Sequence, residues 1–175
     1  SILVDNHIET PTKKPINENT SIGLDFGVKH LVITSDGKKF ENKEFFLTAM
    51  KELEIAQRSL ARKQKGSNRR KKQKQIVALL HEKVRNQRQD YLHKISRELV
   101  DQYDTICIEN LDVKGLTKRM EPIQAANGKH LANGQKDKSA MNRAILDCGW
   151  SELRSMLEYK AEWAGKNISV IGRFD

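Results

Sequence analysis

Apolar and polar positions alternate from Ser21 to Val28. Ile22, Leu24, Phe26 and Val28 fall on one face of a predicted strand, and Gly23, Asp25 and Gly27 fall on the other. Strands are also predicted over His30–Ser35 and Lys38–Glu41, and Ser35-Asp36-Gly37 is a tight-turn signal that joins them as a hairpin. From Phe45 the period changes. Leu47, Met50, Leu53, Gln57 and Leu60 recur at helical spacing, Gly66-Ser67-Asn68 interrupts them and offers an N-cap, and Ile76, Leu80, Val84, Gln87, Tyr91, Ile95 and Leu99 form a second stripe. The spacing predicts a helix from about Asn68 to Val100, roughly 50 Å long at 1.5 Å per residue, folded back on the first as an antiparallel pair. Asp104–Leu111 is predicted to be a short buried strand with Ile106 and Ile108 on one face and Cys107 and Glu109 on the other. Val113–Lys138, with Pro122 and the pairs Asn127-Gly128 and Asn133-Gly134, has no clear period and is expected to be a long flexible loop, either a lid or simply disordered. Helical spacing returns over Met141–Ala164 through Leu146, Gly149, Leu153, Leu157 and Lys160-Ala161, with Trp150 and Trp163 as packing residues and Gly165 as the stop. Asn167–Ile171 is the last predicted strand.

The element order is three strands, long helices, a strand, a helix and a strand. Three antiparallel strands followed by helix-linked ones point to an α/β ribonuclease H-like mixed sheet carrying a long inserted helical hairpin over about residues 45–101. Upstream, Ser1-Ile2-Leu3-Val4 is apolar and Pro11, Pro15 and the polar run Ile16–Thr20 read as a linker, so residues 1–20 are expected to end an earlier domain and residues 21–175 to form the main one.

Charge changes this picture. The chain has 175 residues, 31% of them charged, and a formal net charge of +9. Arg58, Arg62, Lys63, Lys65, Arg69, Arg70, Lys71, Lys72 and Lys74 all fall within Ile55–His81, a stretch with no acidic residue. Like charges this close repel, so a merely soluble helix face would intersperse acids. The crowding favours contact with a phosphate backbone. Few aromatic residues interleave with the basic ones, which favours backbone contact over base stacking. No run reaches the ~18 apolar residues of a membrane span. Cys107 and Cys148 sit in separate apolar stretches, as buried free thiols in a reducing compartment would.

Two carboxylates stand out. Asp25 is flanked on its own strand face by glycines, and Asp and Gly are both poor strand formers. A bare patch around a carboxylate admits a metal ion or a phosphate; the alternative is a solvated carboxylate on an edge strand. Glu109 falls near the C-terminal end of its strand, where α/β sheets place their chemistry; the alternative there is a salt bridge to a neighbouring lysine. In a ribonuclease H-like sheet the first and fourth strands are neighbours, so the two carboxylates meet at the sheet centre. Paired there they suit Mg²⁺, a hard cation that takes oxygen ligands. Asp112 in a turn and Asp147 on a helix read as structural. His30 reads as a turn residue and His81 and His93 as structural, since Arg85 stands where a zinc-binding helix would need its second histidine.

At these residues the sequence resembles a known family. IGLDFGVKHLVITSDG, ICIENLDVKGL and NRAILDCGWSELRSMLEYKAEWAGKNISVIGRFD closely resemble the RuvC-like nuclease region of transposon-encoded TnpB (OrfB-type) proteins, RNA-guided DNA endonucleases related to the type V CRISPR effectors. The resemblance covers about Ser21–Asp175, with Ser1–Thr12 similar to the end of an upstream wedge-like domain. It implies that Asp25 and Glu109 are catalytic metal ligands, that the cofactor is Mg²⁺, and that the partners are a guide RNA and target DNA, with no membrane and no small-molecule substrate. It also implies a prokaryotic cytoplasmic setting and a lid in the loop after Glu109. In the family a stretch like GRFD leads into a CxxC zinc ribbon and a third catalytic Asp. This sequence has neither after Asp175, so it is expected to be a fragment that is inactive alone, and Asp175 is not taken as the third ligand. The alternative is a non-catalytic nucleic-acid-binding module or regulator derived from such a nuclease. An actin- or sugar-kinase-like ATPase also uses Asp-x-Gly on a first strand, as Asp25-Phe26-Gly27 does, but the second such loop is missing.

Overall fold

The structure is a computed structural model that describes Glu9 and residues 11–172. The expectations for Ser1–Val4 and for Arg173-Phe174-Asp175 therefore lie outside the described residues. The chain forms two compact units, one from the described parts of Ser1–Glu41, Leu92–Leu111 and Trp150–Asp175, the other from Asn42–Tyr91 and Asp112–Gly149.

The first unit holds a five-stranded mixed sheet. Its strands are β1 (Ser21–Phe26), β2 (His30–Thr34), β3 (Lys39–Glu41), β4 (Thr105–Glu109) and a last strand, Asn167–Ile171, which is β7 in chain order. The order is β3-β2-β1-β4-β7. The first three are antiparallel neighbours, and β1–β4 and β4–β7 are parallel. This is the ribonuclease H-like, RuvC-like arrangement, with the first and fourth strands side by side.

Alternation decides which face is covered. Ile22, Leu24, Phe26, Val32, Ile106 and Ile108 are buried on one face. Leu92, Ile95 and Leu99, from the second half of helix α2 (Asn68–Gln102), and Leu153, Met156, Leu157 and Ala161, from helix α5 (Trp150–Trp163), complete the core of this unit. A fully buried side chain of this size stabilises by about 1.5–3 kcal/mol. Lysines tie the helices together. The Lys160 ammonium donates to Ser96 Oγ at 2.7 Å and to the His93 carbonyl at 2.8 Å. Lys166 donates to the carbonyls of Val100 and Asp101, near the end of α2 where backbone acceptors lack helical donors.

The hairpin turn is as predicted. Gly37 has φ +91°, a conformation that favours glycine, and the Thr34 amide donates to the Lys38 carbonyl at 2.9 Å. Asp36 anchors the turn. Its carboxylate accepts from the Thr34 hydroxyl and, at 2.6 Å, from the Tyr103 hydroxyl.

The second unit contains helix α1 (Phe45–Ala61), the first part of α2, helix α3 (Val113–Leu116), a small hairpin of β5 (Ile123–Gln124) and β6 (His130–Leu131), and helix α4 (Gln135–Cys148). Helix α2 has 35 residues and is about 52 Å long at 1.5 Å per residue. Arg70 Nη1 donates to the Leu60 carbonyl and Gln73 Nε2 to the Ala56 carbonyl, so α1 and the start of α2 run back along each other. Ser67, within the predicted N-cap, accepts the Arg70 amide on its hydroxyl at 3.2 Å.

Several expectations need correction. Only Leu53 and Ala56 of α1 are buried, while Met50 and Ile76 are over 40% exposed. α1 also leans on α4, whose Asp147 accepts the Phe46 amide, and three helices with this little shared surface do not bury whole stripes. The single helix expected over Met141–Ala164 is two, because Gly149 takes φ +69° and ends α4. With that break the buried position is Ile145, not Leu146, which is 57% exposed. Trp150 packs as expected, but Trp163 is 70% exposed and lies edge-on to Tyr159. The expected flexible loop is built instead from α3, the β5–β6 hairpin and the first turns of α4. Asn127 Oδ1 accepts the Lys129 amide in the hairpin turn, and Asn133 Nδ2 donates to the Glu121 carbonyl. Among the described residues no helix is long and apolar enough to cross a membrane.

Asp147 is structural, as expected. It is 4% exposed and accepts the Phe46 amide in the first turn of α1 at 2.8 Å and Arg88 Nη1 at 3.2 Å. Asp147→Ala removes the buried acceptor of both the Phe46 amide and Arg88 and should cost about 3 kcal/mol in denaturant unfolding.

The Asp36 turn makes a pH prediction. Hydrogen bonds from Thr34, then Tyr103, then the Lys38 amide lower its carboxyl from 3.8 to about 2. A depressed folded value means that the stability from this group is present above the unfolded value near 4 and is lost as pH falls through about 2. Tyr103→Phe should raise the Asp36 midpoint, read by carboxyl-carbon NMR titration. An unchanged midpoint would refute the role given to the phenol.

Candidate active site

The sheet face opposite the core is bare. Asp25 is the last residue but one of β1 and Glu109 the last of β4, and both are exposed. The parallel register pairs Gly23 with Cys107 and Leu24 with Ile108. The next step along both strands brings Asp25 and Glu109 to the same level, on the face of Gly23 and Cys107. They line a shallow concavity of about 390 Å³ together with Gly23, Ile33, Ser35, Cys107 and Ile171. Ile33 is the register partner of Asp25 on β2, and Ile171 is that of Glu109 on β7. Each carboxylate is therefore flanked across the sheet by an apolar side chain. Among the described residues neither has a hydrogen-bond or ion-pair partner, so the lysine salt bridge weighed for Glu109 does not form there. Like charges side by side on one sheet face destabilise it.

The glycines beside Asp25 differ. A Cβ on Gly23 would meet Ser35 Cβ at an ordinary 3.6 Å, so the position is roomy and opens onto the carboxylate face. A Cβ on Gly27 would come within 2.9 Å of the His30 carbonyl. Gly27 is required by the β1–β2 turn and not by a ligand.

Two carboxylate oxygens on a bare face suit a hard divalent ion. No group of three or more His, Cys, Asp or Glu side chains able to hold a metal occurs among the described residues. Asp112 caps α3 by accepting the Gly115 amide at 3.0 Å, as its structural reading requires. Cys107 is half-buried and not fully buried as expected. Cys148 is buried, and its thiol is pushed up to about 11, chiefly by desolvation and then by the nearby Asp147 charge.

The basic cluster sits at the α1–α2 turn, and two of its members have partners. Arg58 pairs with Glu54 one helical turn away. The Arg70 guanidinium donates to the Leu60 carbonyl at 2.7 Å and the Lys63 carbonyl at 3.1 Å, closing the end of α1. Sequence reasoning grouped Arg70 with the phosphate-seeking residues; its position opposite a helix C-terminus is the signal that separates it. Arg62, Lys65, Arg69, Lys71, Lys72 and Lys74 are exposed and Lys63 is half-buried. Among the described residues these seven have no acidic partner.

Comparison with known proteins adds the following. The family model OrfB_IS605, described as “Probable transposase”, matches residues 1–120. A relative from Streptomyces pristinaespiralis, “Putative RNA-guided DNA endonuclease”, is 39% identical over 95% of the chain and 36% of its own length. A relative from Escherichia coli, “Putative RNA-guided DNA endonuclease InsQ”, is 37% identical over 93% of the chain and 40% of its own length. The chain thus spans between 36% and 40% of these relatives. A chain in a cryo-EM structure of a Cas12f1–sgRNA–target DNA complex superimposes with a TM-score of 0.55 at 17% identity, covering 93% of this chain and 31% of that one. At that identity the likeness concerns the fold.

Proposed function

The chain belongs to the OrfB_IS605 family of probable transposases, and from that premise we propose that it provides the nuclease core of an RNA-guided DNA endonuclease that hydrolyses DNA phosphodiester bonds. The observation that carries this reading is the pair of carboxylates, Asp25 and Glu109, level with each other on adjacent parallel strands and without a partner among the described residues. The names of the relatives support the reaction class.

In this reading Asp25 and Glu109 hold Mg²⁺. A cation there supplies Lewis-acid stabilisation of the charge that develops on the phosphate oxygens. The chain's own residues do the rest. Gly23 leaves the carboxylate face open for a backbone to approach. Ile33 and Ile171 border the carboxylates with apolar surface and offer them no competing charge. Arg62, Lys65, Arg69, Lys71, Lys72 and Lys74 hold phosphates of the guide RNA or its heteroduplex with target DNA, while base pairing supplies most of the sequence specificity. The setting is the prokaryotic cytoplasm.

The second reading is a non-catalytic nucleic-acid binder, favoured by the fact that only two carboxylates meet among the described residues. Mn²⁺ binding measured by calorimetry separates the two. We expect binding that is lost in Asp25→Asn and in Glu109→Gln; binding that survives both leaves only the second reading. Mg²⁺-dependent cleavage of DNA by this polypeptide alone should be slow or undetectable. Robust cleavage that disappears in Asp25→Ala would overturn that expectation.

The basic tip gives a separate prediction. Each phosphate contact contributes about 0.9 to the slope of log affinity against log salt. Replacing Lys71 and Lys72 by Gln should reduce the slope magnitude by about 2. Arg70→Gln should chiefly lower the melting temperature, since Arg70 is occupied with the end of α1. An unchanged slope in the Lys71/Lys72 variant would remove the tip from the interface.

A further inference from the structure

The backbone turns sharply after Glu109. The Leu111 amide donates back to the Glu109 carbonyl at 3.1 Å, with Asn110 at the apex. Asn110 is held from two sides. Its amide donates to the Ile171 carbonyl of β7 at 2.9 Å, directly beside the Glu109–Ile171 register pair. Its side-chain Oδ1 accepts from Arg154 Nη1 at 3.0 Å. Arg154 lies on α5, the helix that covers the core face of the sheet, and its Nε donates to Glu158 Oε1 at 2.8 Å one turn along. A strut therefore runs from α5 to the end of β4.

Strand alternation gives this strut a consequence. Asn110 follows Glu109 directly, so a grip on Asn110 from the helix side turns Glu109 to the bare side. Glu109 is the last residue of β4 and has no side-chain partner of its own among the described residues. An exposed carboxylate at a strand end, next to the like-charged Asp25, would otherwise swing away from it. We propose that Asn110 and Arg154 form a positioning pair that holds the Glu109 carboxylate level with Asp25 for a hard divalent cation. This rests on the reading of Asp25 and Glu109 as cation ligands. Groups that orient ligands typically contribute 10–100-fold to metal affinity.

The test is Mn²⁺ affinity measured by calorimetry on this chain and on Arg154→Leu, Asn110→Ala, the double variant and Asp25→Asn, with melting temperatures recorded alongside. Asn110 is exposed, so Asn110→Ala is the variant to rely on should Arg154→Leu unfold. The expected result is about 10-fold weaker binding in Asn110→Ala and Arg154→Leu, with the double variant no worse than either alone, because the two act as one device. Arg154→Lys, which keeps a donor, should recover part of the loss. If Asp25→Asn abolishes binding while Asn110→Ala and Arg154→Leu leave it unchanged, the positioning pair is refuted and the ligand reading stands. If Asp25→Asn itself leaves binding unchanged, the ligand reading falls and the positioning pair falls with it.

Discussion

Two carboxylates stand level on adjacent parallel strands with no partner among the described residues, and the sheet is arranged so that they must. The backbones that carry Asp25 and Glu109 cannot separate without breaking the β1–β4 register, because Leu24 and Ile108, the preceding pair, are anchored in the core. Their mutual repulsion is therefore a standing cost, held in place by the burial of Ile22, Leu24, Ile106 and Ile108 on the opposite face. A fold that pays this cost without compensation from its own side chains has left the compensation to something outside them. Under the proposed function a divalent cation held by Asp25 and Glu109 would supply that compensation.

Much of this was legible in the sequence because strand alternation is a strong signal. The period of Ser21–Phe26 put Asp25 opposite the apolar face, and the period of Thr105–Glu109 did the same for Glu109. The strand order needed only the chain sequence of elements. The hairpin turn at Asp36-Gly37 and the length of α2 were equally local. What escaped depended on contacts distant in sequence. Gly149 looked like one more member of a helical stripe, and only its left-handed conformation reveals a helix end that shifts the buried position to Ile145. Trp163 was assigned to the core by its chemistry, yet it lies on the outer side of α5. The segment after Glu109 lacked periodicity because its order comes from side chains reaching backbone, as Asn133 and Asn142 do, and such bonds leave no repeat.

The basic tip shows the same division. Composition alone located the cluster, since no acidic residue interrupts Ile55–His81. It did not distinguish cations available to a partner from those already engaged. Arg70 spends its guanidinium on two carbonyls at the end of α1, adding a charged donor where a helix is short of donors. The free cations can crowd at the turn partly because Arg70 fixes the turn for them.

The four aspartates 25, 36, 112 and 147 make the general point by contrast. Asp147 is buried and answers to an amide and a guanidinium. Asp36 lies at the surface but accepts from two hydroxyls, which hold its carboxyl near 2. Asp112 closes a single turn of helix. Each has internal partners that explain its presence, and each would be expected in a protein with no function at all. Asp25 has none among the described residues, and neither does Glu109, its companion on β4. The sequence already set Asp25 and Glu109 apart from Asp36 in its turn and from Asp112 and Asp147, which read as structural, and the partners found here agree with that division. The inventory of partners separates those that serve the fold from the pair to which the proposed function gives a role.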